Sequence, residues 1–300
     1  MSLAWKETIL QGAENGRLPG GYRRQGAILG RAELLDATDR GVWSESEFVA
    51  RSKTRHTTSA VEAEIRRRHL ERLFTRFGID AEQPILDLGC ADGLLARDLL
   101  ELGCEKLVST DILPQLVATL DRSLAADQRD RVLLLVDDML KLPLRESSFA
   151  AVFAWGILSV SGDFDRALEL AWDWVAPGGY LLLAEPLLEQ ALLYPLVRAD
   201  LQEFRRVREE RTRAGMWEER EDRYRVNPLR FYAERLEALP GVAVADSGGI
   251  SMLPSLILGG LLQDSPVDEA ELAELTDALS DPELDEIALW RQAFWLVRKG

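Results

Sequence analysis

The sequence predicts an α/β protein built on a doubly wound, mostly parallel sheet, and three observations carry that prediction. Residues 84–100, PILDLGCADGLLARDLL, run from an apolar strand through Asp87 into a glycine turn and then a helix-periodic stretch from Leu94. Strand, tight turn, helix is the opening of a nucleotide-binding α/β unit. KLVSTDI (106–112) and RVLLLVDDMLKLPL (131–144) each repeat an apolar strand that ends in acids. VAPGGYLLLAEP (175–186) sets a Pro-Gly-Gly turn before a further apolar strand.

The turn Gly89-Cys90-Ala91-Asp92-Gly93 resembles the D-x-G-x-G-x-G loop of class I S-adenosylmethionine-dependent methyltransferases more than a dinucleotide G-x-G-x-x-G loop. The resemblance implies a Rossmann-like sheet of seven strands, mostly parallel with an antiparallel last strand. It also implies that the loop passes under the methionine half of the cofactor. The amino and carboxylate groups there need backbone partners at close range, so side chains stay short. Asp87, Gly89, Cys90, Ala91 and Gly93 are placed in the cofactor site on that basis. Ala91 stands where the family has its middle glycine. A methyl group tolerates little at φ > 0, so residue 91 is expected to keep an ordinary backbone conformation. On this stretch alone, a glycine turn that merely joins strand to helix is the plainer alternative.

The second strand ends in Asp111. An ionised carboxylate there can accept two hydrogen bonds from a ribose diol, with Ile112 beside it; a helix-capping aspartate is the alternative. After the third strand, the resemblance implies that Asp138 meets the adenine amino group and that Met139 lies along the ring. SFAAVFAWGILSV (148–160) resembles the family's S-F-D-x-V fourth strand, with Ala150 in place of Asp. It places Ala154 and Trp155 at the cofactor and Ser159 toward the acceptor, with core packing the alternative for Trp155. Gly178 and Gly179 are expected to cap the preceding helix and Pro177 to stop it. The resemblance covers residues 84–186; beyond it, Val242–Asp246 and Phe294–Arg298 are the candidates for strands six and seven. Asp111, 22 positions after Gly89, would also suit a nicotinamide-binding fold. The glycine spacing and the Pro-Gly-Gly turn argue against that reading.

Composition narrows the function. Three hundred residues with 47% hydrophobic content suffice for one α/β domain with additions. The longest apolar run, LPSLILGGLL (253–262), is broken by glycines and falls short of the roughly 20 residues that span a bilayer. The first residues lack the charged and apolar regions of a secretion signal, so a soluble, cytoplasmic protein is expected. Cys90 and Cys104 form no C-x-x-C pair, which disfavours zinc and disulfides, and no metal is expected. A net charge of −15 lowers the odds of a nucleic-acid partner. The basic clusters at 66–68 and 198–213 are interleaved with glutamates at helical spacing, as in EFRRVREERTR, and read as solvated faces.

Four regions are expected: an N-terminal helical lid over 1–80, a cofactor-binding core over 81–188, a helical insertion for acceptor recognition over 189–240, and the end of the sheet with an acidic helical segment over 241–300. Leu70, Leu73, Phe74 and Phe77 form the apolar stripe of the lid helix.

Methyl transfer needs a nucleophile held close, aligned and dry, and a base only for a protonated acceptor. The family often has a His pair after the fourth strand, where Ser159 and Val160 stand here. Of the two histidines, His69 reads as a surface residue and His56 as the candidate site group. His56 and Ser159 are therefore the catalytic candidates, with proximity alone the favoured mechanism. The expected function is O- or N-methylation of a small molecule, in natural product biosynthesis, with S-adenosylmethionine as cofactor. A protein or peptide acceptor is the first alternative, a cofactor-binding scaffold without turnover the second, and a homodimer is left open.

Overall fold

A computed structural model of the chain describes residues 4–13, 18–36, 60–197, 200–214, 223–251 and 290–300. The sheet is built around β3 (Pro84–Leu88), β4 (Lys106–Asp111), β5 (Val132–Val136), β6 (Phe149–Trp155) and β7 (Val175–Pro186), all parallel to one another. Parallel strands are covered by helices on both faces, so their sequences read as nearly continuous apolar runs. That is why VLLLV over 132–136 is buried at every position.

Alternate residues feed two cores. Leu86, Val108, Leu133, Val152 and Leu183 point to one face. There they meet α1 (Ala4–Ile9), α7 (Phe164–Trp174) and α10 (Leu229–Glu237) through Ile9, Trp172 and Leu236. Ile85, Leu107, Leu134, Phe153 and Leu182 point to the other. They meet α3 (Ala60–Phe77), α4 (Leu94–Glu101) and α5 (Pro114–Ser123) through Leu70, Leu73, Leu99 and Leu120. Each of those fully buried leucines contributes roughly 1.5–3 kcal/mol.

Among the described residues the order is β1-β2-β5-β4-β3-β6-β7-β11-β10, nine strands rather than seven. Seven match the expected set, with β10 (Val242–Ser251) and β11 (Trp290–Lys299) where strands six and seven were sought. β11 inserts antiparallel between β7 and β10. The two extra strands, β1 (Tyr22–Gln25) and β2 (Ile28–Arg31), form a hairpin inside the region expected to be a helical lid. β2 pairs in parallel with β5, so the hairpin extends the sheet edge.

Other details also depart from expectation. α7 ends at Trp174, before the Pro-Gly-Gly turn, and its cap residue Val175 is already extended. Gly178 and Gly179 therefore lie within β7, where the pairing shifts between Phe149↔Val175 and Ala151↔Tyr180. They absorb a strand irregularity rather than cap a helix. The stripe of α3 packs into the second core, so its described part is a sheet-covering layer. Between β7 and β10 lie α8 (Leu188–Val197), α9 (Leu201–Glu210), a small hairpin of β8 (Thr212–Ala214) and β9 (Arg223–Arg225), and α10. Tyr232 and Leu236 of α10 are fully buried. The expected solvated pairs are present on α3, with Arg67 bound to Glu64 and Glu71 and Arg68 to Glu64. No helix among the described residues is long and apolar enough to cross a membrane.

Candidate functional site

The loops that follow β3, β4, β5, β6 and β7 emerge at the carboxyl edge of the sheet, the edge where open α/β sheets bind ligands. The glycine loop crosses it tightly. A Cβ built on Gly89 would lie 2.4 Å from Ile157 Cγ1, and one on Gly93 2.3 Å from Leu120 Cδ1. Both glycines have φ near the left-handed region, at +70° and +88°. Only a bare backbone fits this cradle. Ala91 shares that conformation at φ +47°, contrary to the expectation of an ordinary backbone. Its N–H donates to Asp111 Oδ2 at 3.0 Å.

Asp111 is buried, with its other oxygen, Oδ1, accepting the Leu113 N–H at 2.9 Å. Burial raises its carboxyl to about 6, against the pull of those backbone donors. Two oxygens offer about four acceptor positions, so capacity remains for a diol. Beside it Ile112 is 38% exposed, an apolar side chain at the sheet edge with no core to enter. Asp87 is buried on β3, with Ser109 donating to its Oδ2 at 3.4 Å, and burial raises it to about 7. The Cys90 thiol is buried and pushed well up, which keeps it protonated and makes it a packing residue. After β5, Asp138 starts a 3-10 turn with Oδ1 accepting the Leu140 N–H at 3.0 Å, and Met139 is half-buried. Among the described residues no group of His, Cys, Asp and Glu is arranged to hold a metal.

The alternation of β6 separates two of the expected residues. Ala154 is fully buried in the first core, while Trp155 turns to the second. Trp155 meets His69 edge-on, ring centroids 6.4 Å apart. His69 is not a surface residue: it is 8% exposed, packs 4.3 Å from the Phe294 ring, and burial lowers it to about 4. The spacing 69, 73, 77 puts it on the apolar stripe of α3, a signal that the neighbouring arginines obscured. His56 lies outside the described residues, as do 253–287.

Around Ser159 lie Tyr232, from the segment 189–240 expected to recognise the acceptor, and Glu185, which sequence reasoning missed. Ser159, half-buried, hydrogen-bonds the Tyr232 hydroxyl at 3.2 Å. Tyr232 also donates to the Pro186 carbonyl at 3.2 Å, with its ring held among Phe164, Phe231 and Trp295. Beneath them Glu185 is fully buried, with Oε1 accepting the Leu158 N–H at 2.8 Å. Its Oε2 is buried without a hydrogen-bond partner among the described residues. Burial raises Glu185 to about 7, opposed by the Ser159 hydroxyl and the N–H groups of 157–159. A charged residue in the apolar run LLLAEP was the available signal for Glu185, while Tyr232 belongs to the aromatic-rich insertion over 189–240.

The methyltransferase-domain family matches residues 85–179, the stretch that contains the glycine loop, Asp111 and Asp138. On a Rossmann-like fold, residues 85–179 form a methyltransferase domain. Its cofactor is S-adenosylmethionine, and the activity is that of a methyltransferase. Solved structures share the fold. An S-adenosylmethionine dependent methyltransferase from Mesorhizobium loti superposes with a TM-score of 0.51 at 17% identity, covering 74% of this chain and 92% of that one. The [4+2]-cyclase SpnF gives 0.51 at 20% identity, over 78% and 81%. A chain from the complex of the Haloferax volcanii Trm112 methyltransferase activator gives 0.52 at 17%, over 86% and 95%. No curated protein matches the chain.

Proposed function

We propose that this methyltransferase acts on a small molecule, at oxygen or nitrogen, in natural product biosynthesis in the cytoplasm. The observation that carries this reading is the convergence of Ser159, Tyr232 and Glu185 beneath the loop after β6. Two hydroxyls and a carboxyl in buried surroundings suit one polar group of a compact acceptor. A net charge of −15 disfavours a polyanionic one.

Asp87, Gly89, Cys90, Ala91 and Gly93 would hold the methionine half of the cofactor. Asp111 and Ile112 would take the ribose, and Asp138 and Met139 the adenine, with Ala154 and Trp155 closing the site. S-adenosylmethionine supplies, when bound, a methyl group activated by the sulfonium that carries it. The chain's own task is to exclude water and align the acceptor, and proximity of that kind contributes several kcal/mol. Ser159 orients the acceptor, and Tyr232 fixes the Ser159 rotamer. His56 is the reserve base for an acceptor that arrives protonated. In this scheme 189–240 and the part of 1–80 outside the β1–β2 hairpin and α3 recognise the acceptor, 81–188 binds the cofactor, and 241–300 completes the sheet.

Calorimetry with S-adenosylhomocysteine, followed by label transfer from S-adenosylmethionine to separate panels of small phenols, amines and peptides, tests this reading. Transfer confined to the small compounds supports it. Transfer only to peptides favours a protein acceptor, and binding without transfer to any panel favours a scaffold.

A further inference from the structure

The β1–β2 hairpin reaches the far side of the site. Gly30 pairs with Val136, which brings the next residue, Arg31, against the next residue of the neighbouring strand, Asp137. Arg31 Nε donates to Asp137 Oδ1 at 3.0 Å and Nη2 to Oδ2 at 2.9 Å, a bidentate pair. The same Nη2 donates to the Lys141 carbonyl at 3.3 Å. One guanidinium thus grips both ends of the loop 137–141. Tyr22 adds its hydroxyl to Asp137 Oδ2, and its ring lies 5.4 Å from the Arg31 guanidinium carbon. Asp137 itself is 2% exposed and accepts the Asp138 N–H at 2.8 Å on Oδ1. Its own N–H donates to the Asp111 carbonyl at 3.2 Å.

We propose that the hairpin belongs to the cofactor site, with Arg31, braced by Tyr22, a positioning residue that holds loop 137–141 in the shape by which Asp138 reads the 6-amino group of adenine. This rests on the placement of Asp138 on adenine proposed above. A buried carboxylate such as Asp137 keeps its place only while its charge is paired. Without Arg31 it must turn toward water, and the Asp138 N–H that it holds moves with it.

Two probes read the effect without any acceptor: S-adenosylhomocysteine and S-inosylhomocysteine, which carries a carbonyl oxygen in place of the amino group. The native protein should prefer the adenosyl compound by about tenfold or more, the weight of one charged hydrogen bond. R31M should bind S-adenosylhomocysteine about tenfold more weakly and lose most of that preference. D111N should weaken both compounds alike and keep the ratio. If R31M does not fold, R31K and Y22F give the same reading, because each removes part of the grip with little change in volume. A folded Arg31 or Tyr22 variant with the native ratio overturns the proposal, as does a native protein with no preference at position 6. A native protein that binds neither compound contradicts the cofactor placement instead.

Discussion

The Ala91 N–H donates to Asp111 Oδ2 at 3.0 Å, so the acid placed for the ribose also holds the glycine loop in its left-handed turn. One side chain therefore links the two halves of the cofactor cradle. Asp111→Ala removes both functions, and S-adenosylhomocysteine should bind about 1.5–3 kcal/mol more weakly, the scale of hydrogen bonds to a charged group. Calorimetry that returns native affinity in a folded Asp111→Ala protein would remove Asp111 from the site.

The pH dependence of binding follows from the same residue. Burial raises Asp111 to about 6 in the free protein. A diol donates to the ionised carboxylate, so binding stabilises that form and draws the value back down. Affinity for S-adenosylhomocysteine should rise as pH increases through about 6, with proton release below that pH. Calorimetry in two buffers of different ionisation enthalpy counts the protons, and Asp111→Asn should abolish the Asp111 contribution. A flat profile from pH 5 to 7.5 would contradict it.

Ala91 at φ +47° carries strain that a glycine would not. A left-handed alanine costs roughly 1–2 kcal/mol, and the entropy lost by ordering a glycine returns about half of that. Ala91→Gly should therefore stabilise the protein by about 0.5–1 kcal/mol with the loop unchanged. Ala91→Val should destabilise it by more than that gain. Urea denaturation of the two variants decides the matter, and a less stable glycine variant would show that the turn is not strained.

What was legible in the sequence was what local chemistry dictates. Strands such as VLLLV, buried on both faces, announce themselves as apolar runs between turns. The P-G-G turn located β7 correctly, yet its role was misread, because the glycines answer the pairing with Phe149 and Ala151 rather than the helix before them. The hairpin was hidden: YRRQ is an edge strand with three exposed residues, so it carries no apolar alternation. Glu185 and Tyr232 sit 47 positions apart in sequence and meet only through the packing of α10 on the sheet. The positive φ of Ala91 was not legible either, because alanine's local preference gives no sign of the turn that the loop makes between Gly89 and Gly93.

Catalysis is expected to depend on positioning. His56→Ala should leave turnover within a few-fold of the native protein once an acceptor is in hand, and Ser159→Ala should raise KM more than it lowers kcat. A loss of about 10²–10⁴ in turnover for a well-folded His56→Ala protein, with cofactor affinity unchanged, would identify His56 as the base instead.

Glu185 makes the last prediction, and it needs no substrate. Its folded carboxyl is raised to about 7 from an ordinary 4.5, because burial penalises the charge. The folded state then binds a proton that the unfolded state has released, so the Glu185 contribution to stability is full below about 4.5. It falls as pH rises and is lost above about 7. Glu185→Gln keeps an oxygen for the Leu158 N–H and cannot ionise. Its buried amide adds a fixed offset at every pH, so the slope is the informative quantity. Between pH 5 and 8 the variant should gain on the native protein by on the order of 2 kcal/mol. Urea midpoints measured across that range test it. Parallel native and Glu185→Gln curves would mean that Glu185 ionises as easily in the fold as in water, which its burial forbids.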